Sequence, residues 1–203
     1  EEIFKEVTDT LYGMMDDLLI GHPTDPSVDL GPIINPNAVK KLKNYIDQDD
    51  PCRLNMYQAN IEKDLIYHWF PPTLLHLSSL DSIFEEQFGP ILHVMSFNEG
   101  SLEEALKSID QKGYALTFGI HTRIDSRALE AAKHISAGNV YINRDMIGAV
   151  VETQPFGGIN LSGTGFKAGG PNYLIQFVNE RTISINTVEI GGNTELLNQM
   201  PDD

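Results

Sequence analysis

ILHVMSFNEGSLEEALKSIDQKGYALTFGIHTRIDSRALEAAKHISAGNVYIN, residues 91–143, is the stretch whose pattern decides the fold. Ile91 to Phe97 is an apolar run of strand length. Ser101 and Glu104 stand at capping-box spacing and predict a helix through about Lys112. Tyr114 to His121 reads as a second strand. A helix from about Ser126 is predicted to end at Gly138 as its C′ glycine, and Asn139 to Asn143 reads as a third strand. Strand, helix, strand, helix and strand with short connections imply right-handed crossovers. The expected fold is α/β, a mostly parallel twisted sheet with helices on both faces. Ligands of such sheets bind beyond the carboxyl ends of the strands.

Upstream of this stretch, Ile3, Val7, Leu11, Met14 and Leu18 recur at helical spacing and predict an amphipathic helix over residues 2–19, stopped by Gly21-His22-Pro23. Residues 21–34 read as an ordered loop. Asn35 before Pro36 is an N-cap followed by proline at the first helical position. Val39, Leu42, Tyr45 and Ile46 give that helix its buried face. Residues 54–58 and 71–77 read as strands, and the aromatics of Tyr67-His68-Trp69-Phe70 are expected to be partly buried between them.

Downstream lies a glycine block. Seven of the chain's 17 glycines fall between Gly148 and Gly170, directly after the third strand. Glycine serves where backbone takes φ > 0 or approaches another group closely. On composition alone the block is either a long flexible loop or backbone brought up to a ligand or neighbouring subunit. Residues 172–178 read as a short helix. Arg181 to Thr187 alternates like a strand that could pair with a partner subunit, and Gly191 to Asp203 reads as a loose tail.

The 203 residues are 41% hydrophobic and 21% charged, a globular composition. Formal charge is 14 − 29 = −15, which argues against a nucleic-acid surface and serves solubility. No apolar run approaches the roughly 18 residues needed for a membrane span. The first residues, Glu1-Glu2-Ile3-Phe4-Lys5, contain neither a signal peptide nor an initiating Met, so the chain reads as an excised piece of a longer protein. With Cys52 as the single cysteine no internal disulfide can form, and a reducing, cytoplasmic setting is expected.

Several chemistries can be set aside. No glycine starts a G-x-x-x-x-G-K-[ST] string. Gly163-Thr164-Gly165 is followed by Gly169, one residue too late for G-x-G-x-x-G. The histidines at 22, 68, 76, 93, 121 and 134 have no zinc spacing among themselves or with Cys52, so no metal is expected. His93 and His121 are read as core or edge residues of strands. Cys52 follows Pro51 in a polar loop without a group to lower its pKa, a poor nucleophile. Glu85-Glu86-Gln87-Phe88-Gly89-Pro90 sets a carboxylate and an aromatic ring beside a rigid turn. A carboxylate can accept hydrogen bonds from a sugar diol, and a ring can pack on a planar heterocycle.

Taken together, the motifs carry a resemblance. Glu86-x-Phe88-Gly89-Pro90, Tyr114-x-Leu116-Thr117-x-Gly119, Gly138-Asn139-Val140-Tyr141-Ile142-Asn143, Pro155-Phe156-Gly157-Gly158 and Ser162-Gly163 resemble the catalytic domain of the aldehyde dehydrogenase superfamily, in that order and spacing, from Glu1 to about Asn193. Within it, Asn143-Arg144-x-x-Ile147-Gly148-Ala149-Val150-Val151, Gln154 to Gly158 and Leu161 to Pro171 are similar to 1-pyrroline-5-carboxylate (glutamate semialdehyde) dehydrogenases. The ending Arg181-Thr182-x-Ser184-x-Asn186-Thr187 … Gly191-Gly192-Asn193 is similar to the bacterial bifunctional proline utilization A proteins, where that enzyme is fused behind a flavin-dependent proline dehydrogenase. Phe166 stands where the family usually has Pro, and His68 where Gly is usual.

The resemblance implies an active-site thiolate attacking the aldehyde, hydride transfer to NAD and hydrolysis of the thioester, in the proline-catabolic oxidation of L-glutamate γ-semialdehyde to L-glutamate. It places the nucleophilic Cys, the general-base Glu, the oxyanion Asn and the whole cofactor-binding domain upstream of Glu1, so no catalytic residue is expected in this chain. It implies that Glu86 binds the nicotinamide ribose hydroxyls and Phe88 packs by the nicotinamide ring. Gly148 and Ala149 would offer backbone N–H groups to the substrate α-carboxylate, and Phe156 would pack on the substrate's aliphatic stem or anchor the loop as a core aromatic. FAD is expected only in a fused proline dehydrogenase domain. Residues 1–171 are then a catalytic-domain part, 172–190 a C-terminal oligomerisation segment with its strand, and 191–203 the tail. The partners are the rest of the polypeptide and further copies in a homo-oligomer. Other readings are an assembly module, a substrate-binding piece of another aldehyde dehydrogenase, or an α/β binding domain of unrelated function.

Overall fold

Helix α1 (Phe4–Asp16) opens the computed structural model, which describes residues 3–61, 68–150 and 152–186. It turns Thr8, Leu11, Tyr12 and Met15 toward the core, not the expected 3-7-11-14-18 stripe. Ile3 and Met14 are exposed, and so is much of Val7. Thr8 tolerates burial because its hydroxyl donates to the carbonyls of Phe4 and Lys5. Helix α2 (Pro36–Ile46) starts as read: Asn35 Oδ1 accepts the Ala38 N–H at 2.9 Å, and Val39, Leu42 and Ile46 are buried. The Arg53 guanidinium closes its far end by donating to the carbonyls of Tyr45, Ile46 and Gln48, a cation at the negative pole of the helix.

Strands β1 (Arg53–Gln58), β2 (Thr73–Leu77) and β3 (Ile91–Val94) form one sheet in that order, β1 antiparallel and β3 parallel to β2. Leu74, Leu75 and Leu77 are buried, as suits a central strand. Leu74 and Val94 pack with α1 on one face, while Ile91 packs with α2 on the other. His68 takes φ 65°, a left-handed conformation in which Gly is favoured.

The second half holds α3 (Leu102–Asp110), β4 (Tyr114–Ala115), β5 (Thr117–Ile120), α4 (Asp125–His134), β6 (Asn139–Ile142) and β7 (Ile159–Asn160). The strand expected over Tyr114 to His121 changes partner at Leu116: β4 pairs antiparallel with β7, and β5 pairs parallel with β6. Leu106 of α3 and Ala131 of α4 cover Phe118, Ile120 and Val140, one face of the β5–β6 pair. The opposite face carries Gly119 and Tyr141 and is approached by a loop, not a helix; a Cβ on Gly119 would strike the Met146 side chain. Asn143, at φ 54°, extends the pairing with its side chain, accepting from Thr122 N–H at 2.9 Å and donating to Thr122 O at 3.0 Å.

The α/β class holds, with several corrections. Two of the four named strand pairings are antiparallel, and helices lie on both faces only of the three-stranded sheet. Ser101 makes no side-chain cap, because a 3-10 turn over Glu99–Ser101 precedes α3. Helix α4 ends at His134, before Gly138. Tyr173–Phe177 is a 3-10 turn, and Arg181 to Asn186 pairs in no strand among the described residues, with Ile183 and Ile185 exposed. Thr187 and the tail lie outside the described residues.

Gly138 has a different duty from the one read from the sequence. A Cβ there would stand 2.1 Å from the Gly157 carbonyl and 2.9 Å from Gly158 Cα. The start of β6 and the glycine block are pressed backbone to backbone, and the Lys167 ammonium donates into this contact, to the carbonyls of Gly138 and Gly157 and to Asn139 Oδ1. Gly157 and Gly158 are equally confined, by the carbonyls of Phe166 and Ser162. Lys167→Met, which strands these acceptors, is expected to lower the unfolding free energy by about 1–3 kcal/mol. Gly138→Ala is expected to cost at least as much, since backbone cannot yield like a side chain. Urea unfolding of each variant checks this, and an unchanged midpoint in either would contradict the role given to this contact.

Candidate functional site

The turn Glu85 to Pro90 leads into β3, so its residues stand at the entrance to the first sheet. Glu86 and Phe88 lie on one cleft of about 630 Å³, together with His93 of β3, Tyr114 of β4, and Leu161 and Ser162 of the glycine block. The Glu86 carboxylate is exposed and unpaired among the described residues, while its backbone N–H donates to Tyr114 Oη at 3.1 Å. Phe88 is 79% exposed. A bare ring beside an unpaired carboxylate has the chemistry for a planar heterocycle joined to a diol, and in that respect the lip fits a nicotinamide ribose.

Tyr114 joins this lip to the glycine block. It pairs with Asn160, and the neighbouring Ala115 N–H donates to Ser162 Oγ at 2.9 Å. On the cleft wall, His93 Nε2 lies 2.7 Å from the Tyr45 hydroxyl. Burial first, and then the Arg53 cation, push the His93 imidazole below its ordinary 6.5, and burial pushes the Tyr45 phenol up. The expectation of a partnered strand histidine holds for His93; His121 is exposed just past β5.

Gly148, Ala149 and Phe156 sit on the strap that leaves β6 and returns at Gly157. Gly148 has φ 71°, and a Cβ there would have nothing within 4 Å. Its N–H donates to Met146 O at 2.9 Å, so it is already engaged. Ala149 N–H has no acceptor among the described residues. Beyond it, Val150 and Gln154 bond reciprocally: Gln154 N–H donates to Val150 O at 2.9 Å, and Val150 N–H to Gln154 Oε1 at 3.4 Å. Phe156 is half-buried, its backbone exchanging two hydrogen bonds with Ala168.

The structure therefore unites Glu86 and Phe88 on one lip, whereas Gly148, Ala149 and Phe156 line neither that cleft nor a second one of about 420 Å³ between Pro155, Phe166 and Asn172. Tyr114, Asn139 and Lys167 hold these segments together, and the sequence reading gave them no such role. Cys52 is a free, half-buried thiol before β1, and no metal cluster exists among the described residues. No helix among them is long and apolar enough to cross a membrane.

Comparison with known proteins agrees with this arrangement. Residues 1–183 match the aldehyde dehydrogenase family. The bifunctional protein PutA of Klebsiella aerogenes is 39% identical over 187 residues, which cover 89% of this chain and 14% of that protein. A 1-pyrroline-5-carboxylate dehydrogenase of Staphylococcus saprophyticus is 32% identical over 187 residues, covering 91% of this chain and 35% of that one. The crystal structure of a mutant proline utilization A from Bradyrhizobium japonicum superposes with a TM-score of 0.82 at 38% identity, over 94% of this chain and 19% of that one. The chain thus spans a minor part of each of these relatives.

The depressed His93 pKa gives a pH prediction. A histidine that binds protons less readily when folded contributes stability that is complete above the unfolded value of 6.5 and is lost as pH falls toward the folded value. The unfolding midpoint of the unaltered chain should fall between pH 7.5 and 5.5, and His93→Asn should lose less over the same interval. Equal losses would show that His93 is not the group responsible.

Proposed function

The chain belongs to the aldehyde dehydrogenase family, and on that premise we propose that it is the C-terminal catalytic-domain part of an NAD-dependent, cytoplasmic dehydrogenase that oxidises L-glutamate γ-semialdehyde to L-glutamate in proline catabolism. The names of the similar proteins, PutA and 1-pyrroline-5-carboxylate dehydrogenase, agree with this reading. The observation that carries it is the strap after β6. A small-residue tip with an uncommitted Ala149 N–H and open space at Gly148 has both the donor and the room for a carboxylate.

In this reading residues 1–171 build one wall of the active site. Glu86 would hold the ribose hydroxyls of NAD and Phe88 would back the nicotinamide ring. NAD, when bound, supplies the hydride acceptor. Ala149 binds the α-carboxylate, Phe156 limits the stem beside the strap, and the glycine block keeps the strap in place. None of these residues exchanges a proton with substrate. The nucleophilic thiolate and the general base belong to the rest of the parent polypeptide, and FAD would belong to a fused proline dehydrogenase domain.

A second role rests on a separate observation. Leu174, Phe177, Val178, Ile183 and Ile185 are all more than 60% exposed, an apolar segment suited to contact with another subunit of a homo-oligomer. Sedimentation of the parent as a strict monomer would remove this assembly role.

The purified chain by itself is expected not to oxidise the semialdehyde with NAD, and turnover would refute the division of labour. In the full-length parent, Gly148→Val should raise KM for the semialdehyde about tenfold or more, the worth of a hydrogen bond to a charged group, with KM for NAD much less affected. An equal effect on both would sink the assignment.

A further inference from the structure

We infer that Tyr141 is a positioning residue that aims the Ala149 amide at the substrate carboxylate. Tyr141 lies on β6, on the face turned away from α3 and α4, and is 7% exposed. Its hydroxyl donates to the Gly148 carbonyl at 3.3 Å. That carbonyl and the Ala149 N–H belong to one planar trans peptide, so they point in opposite directions. Drawing the carbonyl toward the buried ring turns the N–H away from it.

Three neighbouring donors of the tip are occupied. Gly148 N–H goes to Met146 O and Val150 N–H to Gln154 Oε1. Ile147 N–H goes to Asp145 Oδ1 at 3.2 Å. The peptide that Tyr141 orients carries an N–H with no acceptor among the described residues. At φ 71°, Gly148 has the backbone freedom to be set by such a contact. Arg144 stacks with its guanidinium carbon 4.8 Å from the Tyr141 ring centre; its Nε donates to the Asp145 carbonyl at 3.3 Å, and it reaches the Asp145 carboxylate only at 3.9 Å. A cation on the ring face holds the ring and makes the phenol a better donor. Recognition of a carboxylated aldehyde over an uncharged one thus runs from Arg144 and Tyr141 through the Gly148–Ala149 peptide.

The inference rests on the strap being the carboxylate-binding loop, and the test separates the two claims in the full-length parent enzyme. Tyr141→Phe keeps the ring and its Arg144 stack and removes only the hydroxyl. The ratio of kcat/KM for L-glutamate γ-semialdehyde to that for butanal is expected to fall about fivefold, the value of one neutral hydrogen bond, and to do so through KM. The inhibition constant of L-glutamate, which keeps the α-carboxylate, is expected to rise by a similar factor. An unchanged ratio, or an equal loss with both aldehydes, would overturn the role of Tyr141. Gly148→Val, or Gly148→Ala if the valine variant does not accumulate, is measured beside it. If the Gly148 variant lowers the ratio and Tyr141→Phe does not, the strap reading stands and the Tyr141 inference falls. If neither lowers it, both fall.

Discussion

Lys167 brings a single ammonium group to two backbone carbonyls, those of Gly138 and Gly157, and to the side chain of Asn139. An ammonium has three donors and no acceptor, so these three oxygens use its full capacity. For one cation to reach both main chains, the start of β6 and the return of the strap must lie closer than side chains allow. Gly138 follows from that demand, while Gly157 and Gly158 are confined by the carbonyls of Phe166 and Ser162. The glycine density at these positions therefore comes from close backbone contacts around a half-buried charge, and flexibility has no part in it there. Burial lowers the Lys167 pKa, the expected sign for a cation withdrawn from water.

This closure fixes the strap between two anchored points. Residue 143 leaves the β5–β6 pair, whose end is locked by the reciprocal Asn143–Thr122 bonds. Residue 157 is held by Asn139, which accepts the Gly157 N–H at 3.2 Å and donates to Pro155 O at 3.1 Å. Between the anchors the reciprocal bonds hold Val150 and Gln154 together. A donor presented from such a loop has lost most of its conformational freedom before any ligand arrives, which lowers the entropy that binding must overcome. The same glycine block contributes β7 and Ser162 to β4, and β4 carries Tyr114 to the Glu86 backbone. The lip that carries Glu86 and Phe88 and the strap are two outlets of one hydrogen-bonded frame.

Much of this was legible in the sequence where local chemistry decides. Asn35 before Pro36 is a cap at any location, and the helix it starts buries the residues expected of it. The periodicity of residues 91–143 located both helices and the strand segments, but not the change of partner at Leu116. Other features depend on partners remote in sequence. The α1 stripe was misread because Thr8 is buried through its own back-bonds, while Val7 and Met14 face outward. Gly138 looked like a helix end because nothing local tells that Gly157 will lie against it. Lys167 and Tyr141 carried no signal at all: a lysine among glycines and a tyrosine in a strand are ordinary until the carbonyls they serve are in place. His68 is the reverse case, since the family habit of Gly at its position anticipates the left-handed backbone that the structure shows.

Charge sets a last condition on how the proposed site would recognise the carboxylate of its substrate. The chain carries a formal charge of −15, which opposes the approach of any carboxylate. At physiological salt that field is screened over about 8 Å, so the repulsion weakens an encounter without deciding the bound state. What decides it is short-range. A neutral backbone amide adds attraction without placing a permanent cation on the tip, and Arg144 lends its charge from behind the Tyr141 ring, where its carboxylate neighbour Asp145 is 3.9 Å away. A lysine or arginine placed on the tip itself would bind more strongly, but it would also retain the proposed dicarboxylate product, which has two carboxylates where the substrate has one. Recognition by an oriented peptide gives up affinity and keeps release, which would suit the proposed reaction, whose product carries one more carboxylate than its substrate.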